Sequence, residues 1–205
     1  MDMKKITTIF WDIGGVILTN GWDEHQRADV VPKFGVDLKT FEPLHHKANF
    51  TWERGLTTKD AYLDEVFFYE PQKFTREEIW AAIEGESRVI TPGWYALAEK
   101  LRVAKYRMAT LNNESRELNA YRLTTFELRK YFDFYICSGY VGMMKPERGI
   151  YQMALDVAQA TPEETVFVDD KLENVQVAAS LGMNGIQFTG LDALKADLNK
   201  LGIEA

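Results

Sequence analysis

Four charged residues, far apart in the sequence, have side chains that suit chemistry on a phosphate group. Asp12 follows an apolar run and precedes Gly-Gly, Asp169 and Asp170 follow another apolar run, and Lys145 precedes a proline. A carboxylate that attacks a phosphate needs a divalent cation to offset the repulsion between the two anions. Mg²⁺ prefers oxygen ligands and keeps several waters, so one or two carboxylates suffice to bind it. These residue types therefore suggest metal-assisted attack on phosphorus.

Such side chains meet only if the fold brings them to one place. Five runs rich in β-branched and aromatic residues are typical of strands; they cover residues 6–11, 105–111, 133–138, 165–168 and 185–188. Helical patterns lie between the later runs, and this alternation predicts a doubly wound parallel α/β sheet of the Rossmann-like kind. Ligands bind beyond the carboxyl ends of strands in such sheets. We therefore expect the polar residues at the strand ends to converge, which are Asp12, Asn112, Ser138 and Asp169–Asp170.

The stretch from residue 18 to residue 87 breaks this alternation. It contains aromatic-rich helical patterns and no convincing strand. Thr75 and Glu78 have the spacing of a capping box in front of an apolar run, which indicates a helix start. We expect a core domain of residues 1–17 and 88–205, and a helical insert of residues 18–87 that forms a second, smaller domain.

Composition limits the classes of function. The 205 residues carry a net charge of −7 and contain no dense run of lysine and arginine, which argues against a nucleic-acid-binding protein. No apolar stretch approaches the ~18 residues that span a bilayer. The single cysteine, Cys137, lies in an apolar run and is expected to be a buried thiol in a reducing compartment. These patterns predict a cytoplasmic protein without a membrane segment, and they leave open whether it is a monomer or a homodimer.

Four segments resemble, in order, the motifs of the haloacid dehalogenase-like hydrolase superfamily. They are residues 10–16, 111–115, 142–146, and 166–170 with Asn174. The resemblance implies a phosphohydrolase in which Asp12 is the nucleophile and is transiently phosphorylated. It also implies catalytic roles for Lys145 and Asn112.

The same resemblance implies a magnesium ion as cofactor. Its expected ligands are Asp12, Asp170 and the backbone carbonyl of Gly14, and Asp169 would orient bound waters. Candidate substrate-binding residues are Gly15 in the first motif, Asn113 in the second and Arg54 in the helical insert. An ion pair at a helix end is the alternative for Arg54.

One departure from the superfamily pattern concerns proton transfer. Most phosphatases that the chain resembles carry a second Asp two residues after the nucleophile, where this chain has Gly14. General acid–base catalysis contributes roughly 10²–10⁴-fold, so its loss requires a good leaving group or another acid. The Asp-x-Gly form resembles a branch that includes sugar-1-phosphate phosphatases. Candidate acids in the helical insert are His25, His45, His46 and Glu53.

A second departure lies in the second motif, where a serine or threonine normally binds a phosphoryl oxygen. Asn112 aligns there, and its amide can donate a hydrogen bond. A shift of one or two residues would place Asn113 or Thr110 in this role instead.

A helical insert between the first and second motifs matches the first cap class of the superfamily, and a closing cap excludes large substrates. We therefore expect a small phosphorylated metabolite as the substrate. Two alternatives remain: a dehalogenase, in which the same Asp attacks carbon, or a relative that binds a phospholigand with little or no turnover. The adjacent pair Asp169–Asp170 favours the phosphatase, since attack on a neutral alkyl halide has no use for a metal ion.

Overall fold

The computed structural model describes residues 5–205, and its centre is a five-stranded parallel sheet. The strands are β1 (Thr8–Trp11), β2 (Arg107–Asn112), β3 (Phe134–Cys137), β4 (Thr165–Asp169) and β5 (Asn184–Gln187). Their order in the sheet is β3-β2-β1-β4-β5. The five predicted strands and the α/β class are confirmed. Residues 1–4 of the expected core domain lie outside the described residues.

Helices cover both faces of this sheet and fill the predicted insert. The insert contains α1 (Glu24–Val30), α2 (Leu38–Trp52), α3 (Lys59–Val66) and α4 (Arg76–Gly85). The remaining helices are α5 (Trp94–Val103), α6 (Arg116–Thr125), α7 (Ser138–Val141), α8 (Arg148–Ala158), α9 (Leu172–Ser180) and α10 (Leu191–Lys200). Three short 3₁₀ turns lie at Val31–Phe34, Leu128–Lys130 and Pro162–Glu164.

Strand β1 packs against helices on both faces of the sheet, which explains its unbroken apolar sequence. Trp11 contacts Trp94 edge to face on one side, with ring centroids 5.7 Å apart. Phe10 and Phe167 belong to the apolar cluster on the other side, where Tyr151 of α8 contacts Phe167. This packing holds the carboxyl end of β1 in one position.

The helices of the insert enclose a separate apolar cluster that is rich in aromatic rings. Trp52, at the end of α2, stacks on Tyr62 of α3 with centroids 4.0 Å apart. The predicted capping box of Thr75 and Glu78 is present at the start of α4. Leu118 of α6 joins the same cluster, so the insert packs directly on the core.

Two expectations from composition concern the Cys137 thiol and membrane-spanning helices. Cys137 is a buried free thiol, and burial raises its pKa. Within residues 5–205, every helix is too short or too polar to cross a membrane.

Candidate active site

Three carboxylates meet at the carboxyl edge of the sheet, and we call them the carboxylate cluster: Asp12, Asp169 and Asp170. Asp12 directly follows β1, and its backbone N–H still donates to the carbonyl of Val168 in β4 at 2.8 Å. Asp169 is the last residue of β4. Because β1 and β4 are parallel neighbours, one oxygen from each of the three carboxylates lies within 4.8 Å of the others. Of the strand-end residues expected to converge, Asp12, Asp169 and Asp170 do so here.

The ammonium of Lys145 contacts two of the three carboxylates of this cluster. Its Nζ is 3.1 Å from Oδ2 of Asp12 and 2.6 Å from Oδ2 of Asp169, and the lysine is buried. Burial alone would lower the pKa of Lys145, but the two carboxylates outweigh it and raise this pKa. The lysine therefore stays charged beside the predicted nucleophile.

Negative charge exceeds positive charge in the cluster. Burial raises the pKa of Asp12 to about 7, Lys145 opposes this effect, and the charges of Asp169 and Asp170 add to it. Burial also raises the pKa of Asp170, with the neighbouring Asp169 as the next cause. Three carboxylates against one ammonium are an environment that a divalent cation would stabilise.

Asp169 and Asp170 differ in how their oxygens are used. Asp169 accepts hydrogen bonds from Lys145, from the backbone N–H of Lys171 at 2.8 Å and from the amide of Asn174 at 3.0 Å. Oδ1 of Asp170 is buried and has no hydrogen-bond partner among residues 5–205. Asp170 thus has a free acceptor oxygen, whereas the oxygens of Asp169 are already engaged.

This arrangement fits a magnesium ion. The donors are carboxylate oxygens of Asp12 and Asp170, which are the hard ligands that Mg²⁺ prefers. The unpartnered buried oxygen of Asp170 is explained if it binds a cation. Gly14 and Asp12 both line the cavity that is described below. The backbone of Gly14 therefore lies near the cluster.

Gly15 has a steric role in the cluster. Its φ is +70°, a conformation that favours glycine. A Cβ at this position would lie 2.2 Å from Oδ2 of Asp170. The side chain of Asp170 therefore occupies the space that any larger residue at position 15 would need. The sequence predicted Gly15 as a substrate contact and did not predict this steric role.

The two asparagines after β2 have different partners. Asn113 accepts from the backbone N–H of Lys145 and donates to the carbonyl of the same residue, both at 2.8 Å. Asn112 is buried and donates to Oδ1 of Asn119 at 3.1 Å. Asn113 lines the cavity described below, and Asn112 is absent from its lining. To reach a phosphoryl oxygen, the Asn112 amide would have to turn away from Asn119.

Arg54 makes its contacts at the junction between the insert and the core. Its guanidinium forms an ion pair with Glu147 and donates to the carbonyl of Gly142 at 3.1 Å. It also stacks on Phe50, 4.3 Å from the ring centroid. The structure therefore places Arg54 in an ion pair, as in the alternative considered for it, and outside the cavity lining. A substrate contact would require this ion pair to open.

A cavity of about 300 Å³ lies between the carboxylate cluster and the helical insert. The core contributes Asp12, Gly14, Asn113, Glu114, Arg122, Lys145, Lys171 and Asn174. The insert contributes Asn20, Gly21, Trp22, Asp23, Arg27, His45, His46, Asn49 and Glu53. Of the four candidate acids, His25 lies outside this lining. Ser138, another expected member of the strand-end group, accepts from the backbone N–H of Glu114 and is absent from the lining.

Sequence reasoning missed several of these residues. Arg122 of α6 is buried, pairs with Glu114 at 2.9 Å and also donates to the carbonyl of Thr19. This pair links the second motif to the chain that enters the insert. Arg122 and Glu114 each lie about a hundred residues from Thr19 in the sequence, so no local pattern predicts that these segments meet.

The sequence profile of haloacid dehalogenase-like hydrolases matches residues 6–182. The chain belongs to this family. Flavin mononucleotide hydrolase 1 of Arabidopsis thaliana is 24% identical to this haloacid dehalogenase-like hydrolase over 201 residues, covering 98% of the chain and 79% of the relative. The bifunctional epoxide hydrolase 2 of Rattus norvegicus is 33% identical over 136 residues, or 64% of the chain. Those residues span only 24% of the rat protein.

Solved structures of the haloacid dehalogenase family share the fold of this hydrolase. A family enzyme of Bacteroides thetaiotaomicron, in complex with magnesium and inorganic phosphate, superposes with a TM-score of 0.71 and 23% identity, covering 90% of this chain and 95% of that one. A dehalogenase superposes with a TM-score of 0.63 and 21% identity, covering 90% and 85%. At these identities the likeness concerns the fold alone, so the choice of chemistry rests on the site.

Proposed function

We propose that this hydrolase is a magnesium-dependent phosphohydrolase that passes through a phosphorylated Asp12. The main support is the carboxylate cluster, whose oxygens lie within 4.8 Å of one another, with the buried Lys145 against Asp12 and Asp169. A bound magnesium ion would hold Asp12 beside the phosphate and take up negative charge on the phosphoryl oxygens. The names of relatives such as flavin mononucleotide hydrolase 1 agree with phosphate-ester chemistry.

The chain's own residues divide the reaction into two steps. The Asp12 carboxylate attacks phosphorus, the bond to the ester oxygen breaks and the alcohol leaves. Water then attacks the phosphorus of the aspartyl phosphate, which releases phosphate and restores Asp12. Lys145 offsets the charge of the nucleophile and of the phosphoryl group, and Asp170 with the backbone of Gly14 holds the cation.

We propose that residues 18–87 act as a cap over this site, on a core of residues 1–17 and 88–205. Helix α2 contributes His45, Asn49 and, just after its last turn, Glu53 to the cavity wall opposite the strand ends. A closed cap excludes water and polymers from the reacting phosphate. A volume of about 300 Å³ is at the small end of ligand cavities, so the substrate is a small metabolite.

The polar lining favours a hydroxylated substrate such as a sugar phosphate. Asn20, Asn49 and Glu53 offer both donors and acceptors for hydroxyl groups. Both arginines of the lining are already paired, Arg27 with Glu42 and Arg122 with Glu114. A second anionic group on the substrate would lack a free guanidinium there.

Hydrolysis of phosphorylated sugars with added Mg²⁺, followed by phosphate release, tests this function. We expect turnover that EDTA abolishes and that Mg²⁺ restores. A dehalogenase would instead release halide from a haloacid in the presence of EDTA. Ligand binding without phosphate release, with the Asp12→Asn variant indistinguishable from wild type, would support a binding protein and overturn the proposal.

A further inference from the structure

The first motif leaves the leaving group without an acid, because Gly14 has no side chain. We propose that Glu53 is a further catalytic residue, whose carboxyl group gives the leaving oxygen its proton. This inference rests on the phosphohydrolase function proposed above. Glu53 lines the same cavity as Asp12 and Lys145 and approaches it from the insert.

Other acidic and imidazole groups of the insert that line the cavity are committed elsewhere. The Asp23 carboxylate caps α1 by accepting from two backbone N–H groups. Nδ1 of His45 lies 2.7 Å from the hydroxyl of Tyr62, and burial lowers the pKa of His45 to about 3. The side chain of His46 is 74% exposed and lies 3.7 Å from Glu42.

Glu53 differs from these groups in being uncommitted to a cation. Within residues 5–205 no lysine, arginine or histidine nitrogen lies within ion-pair distance of its carboxyl group, and Asn49 is the neighbouring side chain that most lowers its pKa. In contrast, the other glutamate of the lining, Glu114, is held by Arg122 and by the backbone N–H of Ser115. Glu53 is therefore the lining carboxyl group most free to serve a substrate.

The residues on either side fix Glu53 against the core. Trp52 is fully buried and stacks on Tyr62. Arg54 is held by Glu147 and by the carbonyl of Gly142, in the loop that leads to Lys145. Gly55 has a φ of +65°, and a Cβ on it would lie 1.9 Å from the carbonyl oxygen of Gly139. Such close packing holds a side chain in position before the substrate arrives.

The electrostatic surroundings favour the protonated carboxyl group that an acid catalyst needs. Burial raises the pKa of Glu53, and the amide of Asn49 with the charges of Lys171 and Arg27 opposes this. These two cations approach from the start of α9 and from α1. Glu114, which follows β2, is close enough that the charge of Glu53 raises the pKa of Glu114.

The proton balance of the two steps is closed. As Asp12 attacks, the bond between phosphorus and the ester oxygen breaks, and that oxygen takes the proton of Glu53 and leaves as an alcohol. The Glu53 carboxylate then takes a proton from the water that attacks the aspartyl phosphate. Phosphate is released, and Asp12 and Glu53 return to their starting states.

The test compares Glu53→Gln with the control Glu77→Gln on the exposed face of α4, using two kinds of substrate. Sugar phosphates have poor leaving groups, whereas p-nitrophenyl phosphate has a good one that leaves without a proton. We expect Glu53→Gln to lower kcat on the sugar phosphate by roughly 10²-fold or more and to leave p-nitrophenyl phosphate nearly unchanged. Glu77→Gln should match wild type on both substrates.

The pH dependence gives a readout that a structural role would not move. With the sugar phosphate, wild-type kcat should fall on the alkaline side as Glu53 ionises, and this limb should be absent in Glu53→Gln. Equal losses on both substrates, or no loss on either, would overturn the role of Glu53 while leaving the phosphohydrolase function intact. If wild type hydrolyses no phosphate ester, both proposals fail together.

Discussion

Gly15 and Asp170 share one space at the carboxyl edge of the sheet. The left-handed backbone of Gly15 brings it so close that a methyl group there would lie 2.2 Å from the Asp170 carboxylate. The second glycine of the first motif is thus required by the acidic residue of the fourth motif, 155 positions later in the chain. The two motifs meet at the carboxylate cluster because the backbone of one makes room for the side chain of the other.

A Gly15→Ala substitution should therefore weaken magnesium binding. The added methyl group displaces Asp170, and disturbing the groups that orient a metal ligand typically costs about 10–100-fold in metal affinity. The Mg²⁺ concentration for half-maximal activity should rise by about that factor.

Gly35→Ala is the matched control for this substitution, because Gly35 has a φ of +76° and open space around it. Both variants carry a similar backbone cost of about 1–2 kcal/mol, visible in thermal unfolding. Equal magnesium dependence in the two variants would show that Asp170 is not a metal ligand.

Asn113→Ala should reduce the rate more than it reduces substrate binding. Asn113 holds both backbone polar groups of Lys145 at 2.8 Å, and the alanine variant frees the loop that carries the ammonium. We expect kcat to fall about 10–100-fold, since small misplacements of catalytic groups are costly, while KM changes little. Asn199→Ala, on the exposed end of α10, is the control. A rise in KM with kcat unchanged would indicate that Asn113 binds substrate, as the second motif alone suggested.

His45 should make the protein less stable in acid. Its pKa falls from an ordinary value of 6.5 to about 3 on folding, chiefly because it is buried. As pH falls below 6.5, His45 becomes protonated in the unfolded chain but stays neutral in the folded protein. The free energy of unfolding therefore decreases until pH approaches 3.

Urea unfolding between pH 7.5 and 4.5 measures this loss, which should reach about 3 kcal/mol. The His45→Gln variant should lose less stability over this interval. His25→Gln should keep the wild-type slope, because the side chain of His25 is 84% exposed. An unchanged slope in His45→Gln would contradict the prediction.

Arg54 and Glu147 should behave as a pair. If Arg54 only anchors the end of α2 to the Lys145 loop, Arg54→Ala and Glu147→Ala will change KM by similar factors, and the double variant will add little. We expect a coupling of about 1 kcal/mol or less, because the Glu147 carboxylate is 46% exposed. A rise in KM for Arg54→Ala alone would instead indicate that Arg54 contacts the substrate.

The sheet and the carboxylate cluster follow from the sequence because they depend on local patterns. Strand ends are marked by Asp12 and Asp169, and parallel topology places those ends on one edge. The resemblance of the third motif to that of the superfamily places Lys145 near them. These residues needed no knowledge of side-chain packing.

Contacts between distant segments do not follow from local patterns. The ion pair of Arg54 and Glu147 spans 93 positions, and its formation depends on how the insert packs on the core. Asn112 and Asn113 are identical in type and adjacent, yet one bonds to Asn119 and the other to Lys145. Only the direction of each side chain at the end of β2 separates their roles.

Trapping the phosphorylated enzyme tests the nucleophile most directly. The protein is mixed with substrate and Mg²⁺, quenched in acid and digested, and the peptide containing Asp12 is examined by mass spectrometry. We predict one phosphoryl group on Asp12, which borohydride converts to homoserine. It should be absent after EDTA treatment and absent, together with turnover, in Asp12→Asn. Substrate turnover that persists in Asp12→Asn, or a phosphoryl group on another residue, would contradict Asp12 as the nucleophile.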